Sequence, residues 1–133
     1  MKVAFGIAGD YATVGTDGKA TLVGMFTVLN VGDLPATHPR MHLLIGFDQE
    51  PDDTGRHRTF RVLWNDPDRR SGVQVGHGSI AVATPVTEGV ARSVIAAPVE
   101  NLALQVAGPH CFTVELDGQP AFEIPIYVRR REP

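Results

Sequence analysis

The sequence is poor in the residues that several common classes of protein require. Its one cysteine, Cys111, excludes an intrachain disulfide and any zinc site built from several thiolates. No run approaches the ~20 apolar residues of a membrane-spanning helix. The start, MKVAFGIAGDY, lacks the longer apolar stretch and the cleavage site of an export signal. We therefore expect a cytosolic protein that has no membrane partner.

Positive charge is scarce as well. Twelve Lys and Arg stand against fifteen Asp and Glu, which gives a formal net charge of −3. A net acidic chain gives no reason to expect a polyanion as partner, and the three arginines of the C-terminal RRREP are too few to change this balance. We expect no nucleic-acid partner.

Recognisable catalytic motifs are also missing. The stretch GTDGKAT (15–21) has neither the spacing of a phosphate-binding loop nor a helix after it, and a serine nucleophile elbow is absent. His110 and Cys111 are neighbours, but adjacent residues of a strand point to opposite faces, so a thiolate–imidazole pair does not form. We predict that the protein is not an enzyme and needs no cofactor.

What the sequence does contain is the pattern of an all-β protein. Hydrophobic residues make up 43% of its 133 residues, enough for one domain, 1–133, with its own core. Short alternating runs are separated by turns and loops rich in Gly, Pro and Asp, including loops at 32–39 and 84–89. We predict about eight strands, over 3–7, 20–31, 40–48, 56–64, 73–83, 91–97, 110–116 and 122–128. The stretch 98–108 is compatible with a short helix or a continued strand. The pattern favours an antiparallel, immunoglobulin-like β-sandwich, with an open β-barrel as the alternative.

The last two strands illustrate how the register is predicted. Asp117-Gly118 signals a hairpin between them. A two-residue turn would set an apolar row against a polar row, so we prefer a three-residue loop, 116–118, which places Phe112 opposite Phe122. In that register Cys111 lies on the more exposed face and His110 points toward the core.

Two stretches resemble a family of short bacterial all-β proteins that remain uncharacterised. They are VAFGIAGDYATVGTDGKATLVGMF (3–26), with its Asp-Tyr-Ala and Asp-Gly-Lys, and the closing hairpin GPHCFTVELDGQPAFEIPIYV (108–128). This resemblance implies a fold and brings no catalytic residues. The region 91–116 also resembles the corner before a central strand of immunoglobulin-like sandwiches. His110 stands where a tyrosine is common, so its imidazole would bond back to the loop backbone.

Acidic loops are the best candidate for a ligand site. Asp48, Glu50, Asp52 and Asp53 lie in the loop 48–53, and Asp66 and Asp68 lie in the loop 66–68. Calcium needs six to eight oxygens from one end of a fold, whereas one strand separates these loops and so places them at opposite ends. Neighbouring arginines, Arg56, Arg58, Arg69 and Arg70, can neutralise the carboxylates. We therefore favour solvated turns and keep a small-ligand or metal site as the alternative.

Three further polar residues are interaction or ligand candidates. His77 lies between two glycines, which would let a ligand or another backbone approach, although we favour a cross-strand histidine at a bulge. Asp10 and Tyr11 lie close in sequence to the turn Asp17-Gly18-Lys19, and we interpret them as turn residues, with Tyr11 packed under the loop.

The first functional hypothesis is a non-catalytic sandwich that binds another protein or forms a homodimer, because exposed sheet edges can pair with a partner strand. The second is a small-ligand or metal-binding sandwich that uses the acidic loops or the His77 region. The third is a hydrolase or isomerase assembled from His, Asp and Tyr across distant strands, which leaves no linear motif.

Overall fold

The apolar runs of the sequence form nine β-strands in a computed structural model that describes residues 1–68, 72–81 and 91–131. Two sheets pack against each other, which confirms the predicted all-β sandwich. No helix in the described residues has the length and hydropathy needed to cross a membrane. The strands are β1 (Lys2–Val14), β2 (Ala20–Met25), β3 (Val28–Val31), β4 (Ala36–Gln49), β5 (His57–Asn65), β6 (Val73–Ala81), β7 (Ala91–Leu104), β8 (Gly108–Leu116) and β9 (Gln119–Arg130).

The strands divide into a four-stranded sheet A and a five-stranded sheet B. Sheet A has the order β2-β1-β4-β7, and sheet B has the order β3-β9-β8-β5-β6. Neighbouring strands are antiparallel, except that β3 runs parallel to β9. Sheet B curls like half of a barrel, so the fold has a feature of both predicted architectures. A short 3-10 turn, Pro51–Asp53, carries the chain from β4 in sheet A to β5 in sheet B.

The core lies between the two sheets and takes one face of every strand except β2, which is mostly exposed. In β4 every second residue is fully buried there, and in β8 and β9 the alternate residues face it. Its largest fully buried side chains are Met41, Leu43, Ile45, Phe47, Leu104, Phe112 and Ile126.

Two predicted boundaries are wrong. The loop expected at 32–39 ends early because β4 already begins at Ala36 and includes Pro39. Proline is tolerated there because the ladder skips it: His38 and Arg40 pair with β7, while Asn101 has a left-handed φ of 53°. The single strand expected at 20–31 is two strands, β2 in sheet A and β3 in sheet B. The stretch 98–108, which the sequence left open between a short helix and a continued strand, continues β7 as far as Leu104.

The register of the closing hairpin also differs from the prediction. Leu116 faces Gln119, so the turn has two residues, Asp117 (φ 51°) and Gly118 (φ 81°), as a type I′ turn requires. A bulge between Val114 and Glu115 in the pairing then restores the apolar match, because Ala121 is skipped. Phe112 therefore faces Ile124, and Val114 faces Phe122.

Parts of some predictions lie outside the described residues. They are the loop at 84–89, the last two residues of the strand at 73–83, the arginines Arg69 and Arg70, and the last two residues of the C-terminal charge run.

Candidate functional site

His110 and Cys111 lie on β8 and make separate contacts, as the strand geometry predicts. The buried His110 ring stacks on Trp64 with 4.9 Å between ring centroids, and its Nε2 lies 3.8 Å from an Asp66 carboxylate oxygen. Its Nδ1 lies 2.9 Å from the Gly108 carbonyl oxygen, so the ring does bond back to the backbone, although Gly108 is the first residue of β8 and not part of the loop. The imidazole and the thiol do not form a nucleophile–base pair.

The predicted exposure of Cys111 is wrong, because the residue is only 3% exposed. Its strand is central in sheet B, and its direct neighbours across the sheet are Asn65 and Pro125. The sulfur lies 3.8 Å from the Asn65 amide nitrogen and 3.9 Å from the Thr113 hydroxyl. A small side chain among larger neighbours is covered even on the outer face of a sheet.

The first acidic loop contains a buried ion-pair cluster around Asp53, which is 0% exposed. Its carboxylate accepts hydrogen bonds from the Met1 ammonium at 2.7 Å, the Glu50 backbone N–H at 2.8 Å and the Arg58 guanidinium at 2.8 Å. Burial raises the pKa of Asp53, but these three donors outweigh burial and hold the pKa well below its usual range. The prediction of a solvated turn is wrong for Asp53, while Asp52 is exposed.

The remaining acidic residues do not collect around one point. Asp48 is held by Arg92 at 2.7 and 3.3 Å, and this hydrogen bond lowers its pKa despite burial. Asp66 and Asp68 follow β5, whereas Asp53 precedes it, so the two loops lie at opposite ends of that strand. Within residues 1–68, 72–81 and 91–131 no group of three His, Cys, Asp or Glu could hold a metal ion.

Asp10 and Tyr11 lie inside β1 and are not turn residues. The Tyr11 ring is 50% exposed and packs edge-on against the His42 imidazole, with 5.1 Å between centroids, so it is not under the predicted loop. The side chain of Asp10 occupies the space above Gly24, where a Cβ would lie 2.2 Å from its carboxylate oxygen. Gly24 has a φ of 67° and bends β2 at the predicted position.

His77 is exposed on β6, directly opposite Arg61 of β5. The residue lines a cavity of about 660 Å³ between β6 and β7, together with both flanking glycines, Gly76 and Gly78. The expectation of a cross-strand histidine agrees with its pairing opposite Arg61, but the expected bulge is not at His77, because the ladder between β5 and β6 skips Val75 instead.

The outer face of sheet A, which points away from sheet B, carries an apolar layer that sequence reasoning missed. Leu44 is central in this layer, because it pairs with Ile7 on one side and Ala96 on the other. The next row pairs Gly46 with Phe5 and Val94. None of these side chains belongs to the core between the sheets. We call this surface the A-face and define it by Phe5, Ile7, Leu44, Val94 and Ala96.

The A-face continues onto the β1–β2 ribbon. Three large apolar side chains there are exposed, Tyr11 (50%), Val23 (53%) and Met25 (65%). Tyr11 pairs with Val23, and Met25 pairs with Gly9, which in turn pairs with His42 of β4. The apolar surface is therefore continuous from the edge of β2 to β7.

Charges border the A-face at both ends, because Arg40 of β4 pairs with the exposed Glu100 of β7 in the row beyond His42 and Pro98. At the other end, Lys2, Asp48 and Arg92 form one row across β1, β4 and β7, where Arg92 binds Asp48 and also lies 5.5 Å from the Phe5 ring centroid. The outer face of sheet B differs, because polar side chains such as the paired Arg61 and Glu115 occupy it. Only one of the two outer faces is apolar.

Two sequence signals could have revealed the A-face. The run Met41–Phe47 has no polar residue except His42, and a strand without alternation is covered on both faces. The second signal is the alternation of apolar residues in β1. It is hidden because a bulge between Val3 and Phe5 reverses which residues of β1 face the core. Val3 therefore faces the core, while Phe5 and Ile7 face outward.

Comparison with known proteins places the chain in a family. A family profile matches residues 5–129, nearly the whole chain. The chain belongs to DUF6941, a family of unknown function. No curated protein and no solved structure matches the chain. Membership in DUF6941 agrees with the resemblance to an uncharacterised family and assigns no chemistry to any residue.

Proposed function

We propose that this DUF6941 protein is a non-catalytic binding protein whose A-face associates with the A-face of a second copy. The observation that carries this proposal is the continuous apolar layer on the outer face of sheet A. Contiguous exposed apolar surface of several hundred Å² is unusual on a monomer and typically marks an interaction site.

The charges of the A-face favour a second copy as the partner. The layer has no charged side chain at its centre, and the carboxylates at its two ends each lie beside an arginine, Asp48 beside Arg92 and Glu100 beside Arg40. A partner surface that is also neutral, apolar and of similar size can cover this layer without burying an unpaired charge. The A-face itself is a surface of that kind, and a two-fold axis brings one patch against its identical copy.

The A-face is one side of a sheet, and sheets can pack face to face. The Phe5 ring covers Gly46, where a Cβ would lie 2.2 Å from it, and Leu22 covers Gly9 at 2.6 Å, so these glycines leave no hollows. Two such faces would stack ~10 Å apart, as aligned sheets do.

The extent of the layer sets an upper limit on the size of a dimer interface. With strands ~4.8 Å apart and a rise of ~3.4 Å per residue, the seven residues from His42 to Asp48 and their neighbours on β1 and β7 span about 340 Å² of sheet. The β1–β2 ribbon adds about 200 Å² on the same measure. These are projected areas, and Leu44 at the centre is only 7% exposed, so two copies would bury at most about 1,100 Å², the size of a weak, transient interface.

The test is sedimentation velocity of the wild type and of Val23→Lys/Met25→Lys over a concentration series. Both replaced side chains are more than half exposed, so the substitutions leave the core intact. The matched control is Val106→Lys, because Val106 is 47% exposed and lies between β7 and β8, away from the A-face. We expect a dissociation constant at least about tenfold higher for the double variant, a loss of about 1.4 kcal/mol, and no change for the control.

A wild type that stays monomeric over the whole series contradicts the proposal. Association that the double variant retains would place the interface elsewhere.

Three further expectations from the sequence belong with this proposal. They are bacterial origin, a cytosolic location and an immunoglobulin-like arrangement of the sandwich. The alternative function, a small-ligand or metal site in the loops 48–53 and 66–68, is less favoured because Asp48 and Asp53 already bind cationic groups of the protein.

A further inference from the structure

A cleft separates the two sheets where β6 faces β7. In the described part of the chain, β6 pairs only with β5 and β7 pairs only with β4, so each presents a free edge. The upper section of the cleft, about 660 Å³, is bordered by Gln74–Ser79 and Ile95–Pro98. The lower section, about 510 Å³, shares Gln74 and Val75 and extends to Trp64 and Ala103.

The upper section exists because β6 has no side chain where it faces inward. Gly76 pairs with the core residue Val62, so its missing side chain would point into the sandwich. A Cβ on Gly76 would meet no atom within 4 Å, whereas a Cβ on Gly78 would meet the Phe60 ring at 2.8 Å. The space beside Gly76 is therefore an open hollow, and Ile95 and Ala97 of β7 line it.

We propose that this cleft binds an extended peptide segment of another protein as an added β-strand. Alternate backbone N–H and C=O groups of β6 point away from β5 toward the cleft, and only another extended backbone pairs with such a row of groups. The opposite edge also accepts donors from the cleft, since the Trp64 indole N–H donates to the Ala103 carbonyl oxygen at 3.2 Å. Pro98 lacks a backbone donor, so the guest strand pairs with β6 and rests against β7.

The side chains around the cleft define the guest further. The hollow beside Gly76 accepts an apolar side chain of the peptide, because Phe60, Val75 and Ile95 surround it. Among the residues that the structure describes, the lower section is lined by two acidic residues, Asp66 and Glu100, and by no Lys or Arg. A strand rises ~3.3 Å per residue, so the three residues from Gly76 to Val73 span about 10 Å. The structure therefore favours a peptide that carries a Lys or Arg about three residues from its apolar anchor.

The experiment is display selection of random nine-residue peptides on the folded full-length protein. Selected peptides are then measured by fluorescence polarisation against the wild type, Gly76→Leu and Gly32→Leu. A Cβ on Gly76 meets nothing within 4 Å, so Gly76→Leu places its side chain in the hollow, and Gly32 is the matched control because its Cβ would also meet nothing within 4 Å, in a loop outside the cleft. We expect affinity to fall at least tenfold for Gly76→Leu and to stay unchanged for Gly32→Leu.

Two readouts identify the mode of binding. Strand addition predicts slower hydrogen exchange of backbone amides within Gly76–Ser79 when peptide is bound. Glu100→Gln should weaken the peptides that carry the basic residue and leave those without it unchanged, because Glu100 is on the surface and pairs only loosely with Arg40, at 3.9 Å.

Several outcomes would overturn the inference. Selection that enriches no peptide, or peptides that bind Gly76→Leu as tightly as the wild type, shows that the cleft does not bind a strand. If selection enriches no peptide and Gly76→Leu no longer self-associates, the cleft binds a second copy of this chain and not a peptide of another protein. These results do not depend on the A-face, which is tested by Val23→Lys/Met25→Lys.

Discussion

Replacement of Asp53 by asparagine tests most directly whether the ion pairs of Asp53 stabilise the turn that connects β4 in sheet A to β5 in sheet B. The carboxylate is fully buried and binds the Met1 ammonium at 2.7 Å and the Arg58 guanidinium, which is 24% exposed. Asparagine keeps the shape and removes the negative charge. The ammonium and the guanidinium then lose the counter-charge that they share.

Loss of one partner from a buried ion pair typically costs ~3–5 kcal/mol, because the remaining charge stays desolvated. We expect the lower end, about 3 kcal/mol, since Arg58 also binds Asp117 at 3.0 Å and is partly solvated. For a chain of 133 residues this corresponds to a midpoint about 10 °C lower, from ~2.1 cal/mol/K of unfolding entropy per residue.

Urea unfolding followed by Trp64 fluorescence measures the change in free energy. Asp52→Asn is the matched control, because Asp52 is the exposed neighbour in the same turn and should change stability by less than ~0.5 kcal/mol. The reasoning is refuted if both substitutions have equal effects.

The pH dependence gives an independent check of the same cluster. The folded-state pKa of Asp53 lies below the ordinary value of 3.8, so the unfolded chain binds more protons in the acidic range. The stability from Asp53 is therefore complete above pH about 4 and is lost as the pH falls further. The difference between wild type and Asp53→Asn should shrink below that pH, and a difference that grows there contradicts the assignment.

Two further predictions concern other buried groups. Cys111 should react with a thiol reagent at least about 100-fold more slowly in the native protein than in urea, because the thiol is 3% exposed; equal rates would show that the cover over β8 is absent. Trp64→Phe should cost about 1–2 kcal/mol in urea unfolding, because the indole hydrogen bond to Ala103 that bridges the sheets is lost; an unchanged midpoint would contradict this role.

The features of the fold that depend on local pattern could be predicted from the sequence. Alternation of apolar residues gives the strands β8 and β9, and Asp117-Gly118 gives their turn. His110 faces the core and bonds to Gly108. Both follow from the alternation of side chains along one strand, which places residues 108, 110 and 112 on the same face. The opposite facing of Cys111 follows from the same alternation.

The features that depend on bulges and on long-range neighbours could not be predicted. The bulges near Val3 and Val114 change the facing or the pairing of everything beyond them, and each depends on the partner strand. Burial of Cys111 and Asp53 comes from residues far away in sequence, such as Asn65 and Met1. The A-face was missed for this reason, because it joins short segments of four strands.

The most direct test of the A-face is isotope-filtered NMR on a mixture of labelled and unlabelled protein. Contacts between methyl groups of different copies should connect Ile7, Leu44 and Val94. Intermolecular contacts that involve only side chains of sheet B, or none at concentrations where sedimentation shows a dimer, would contradict an interface on the A-face.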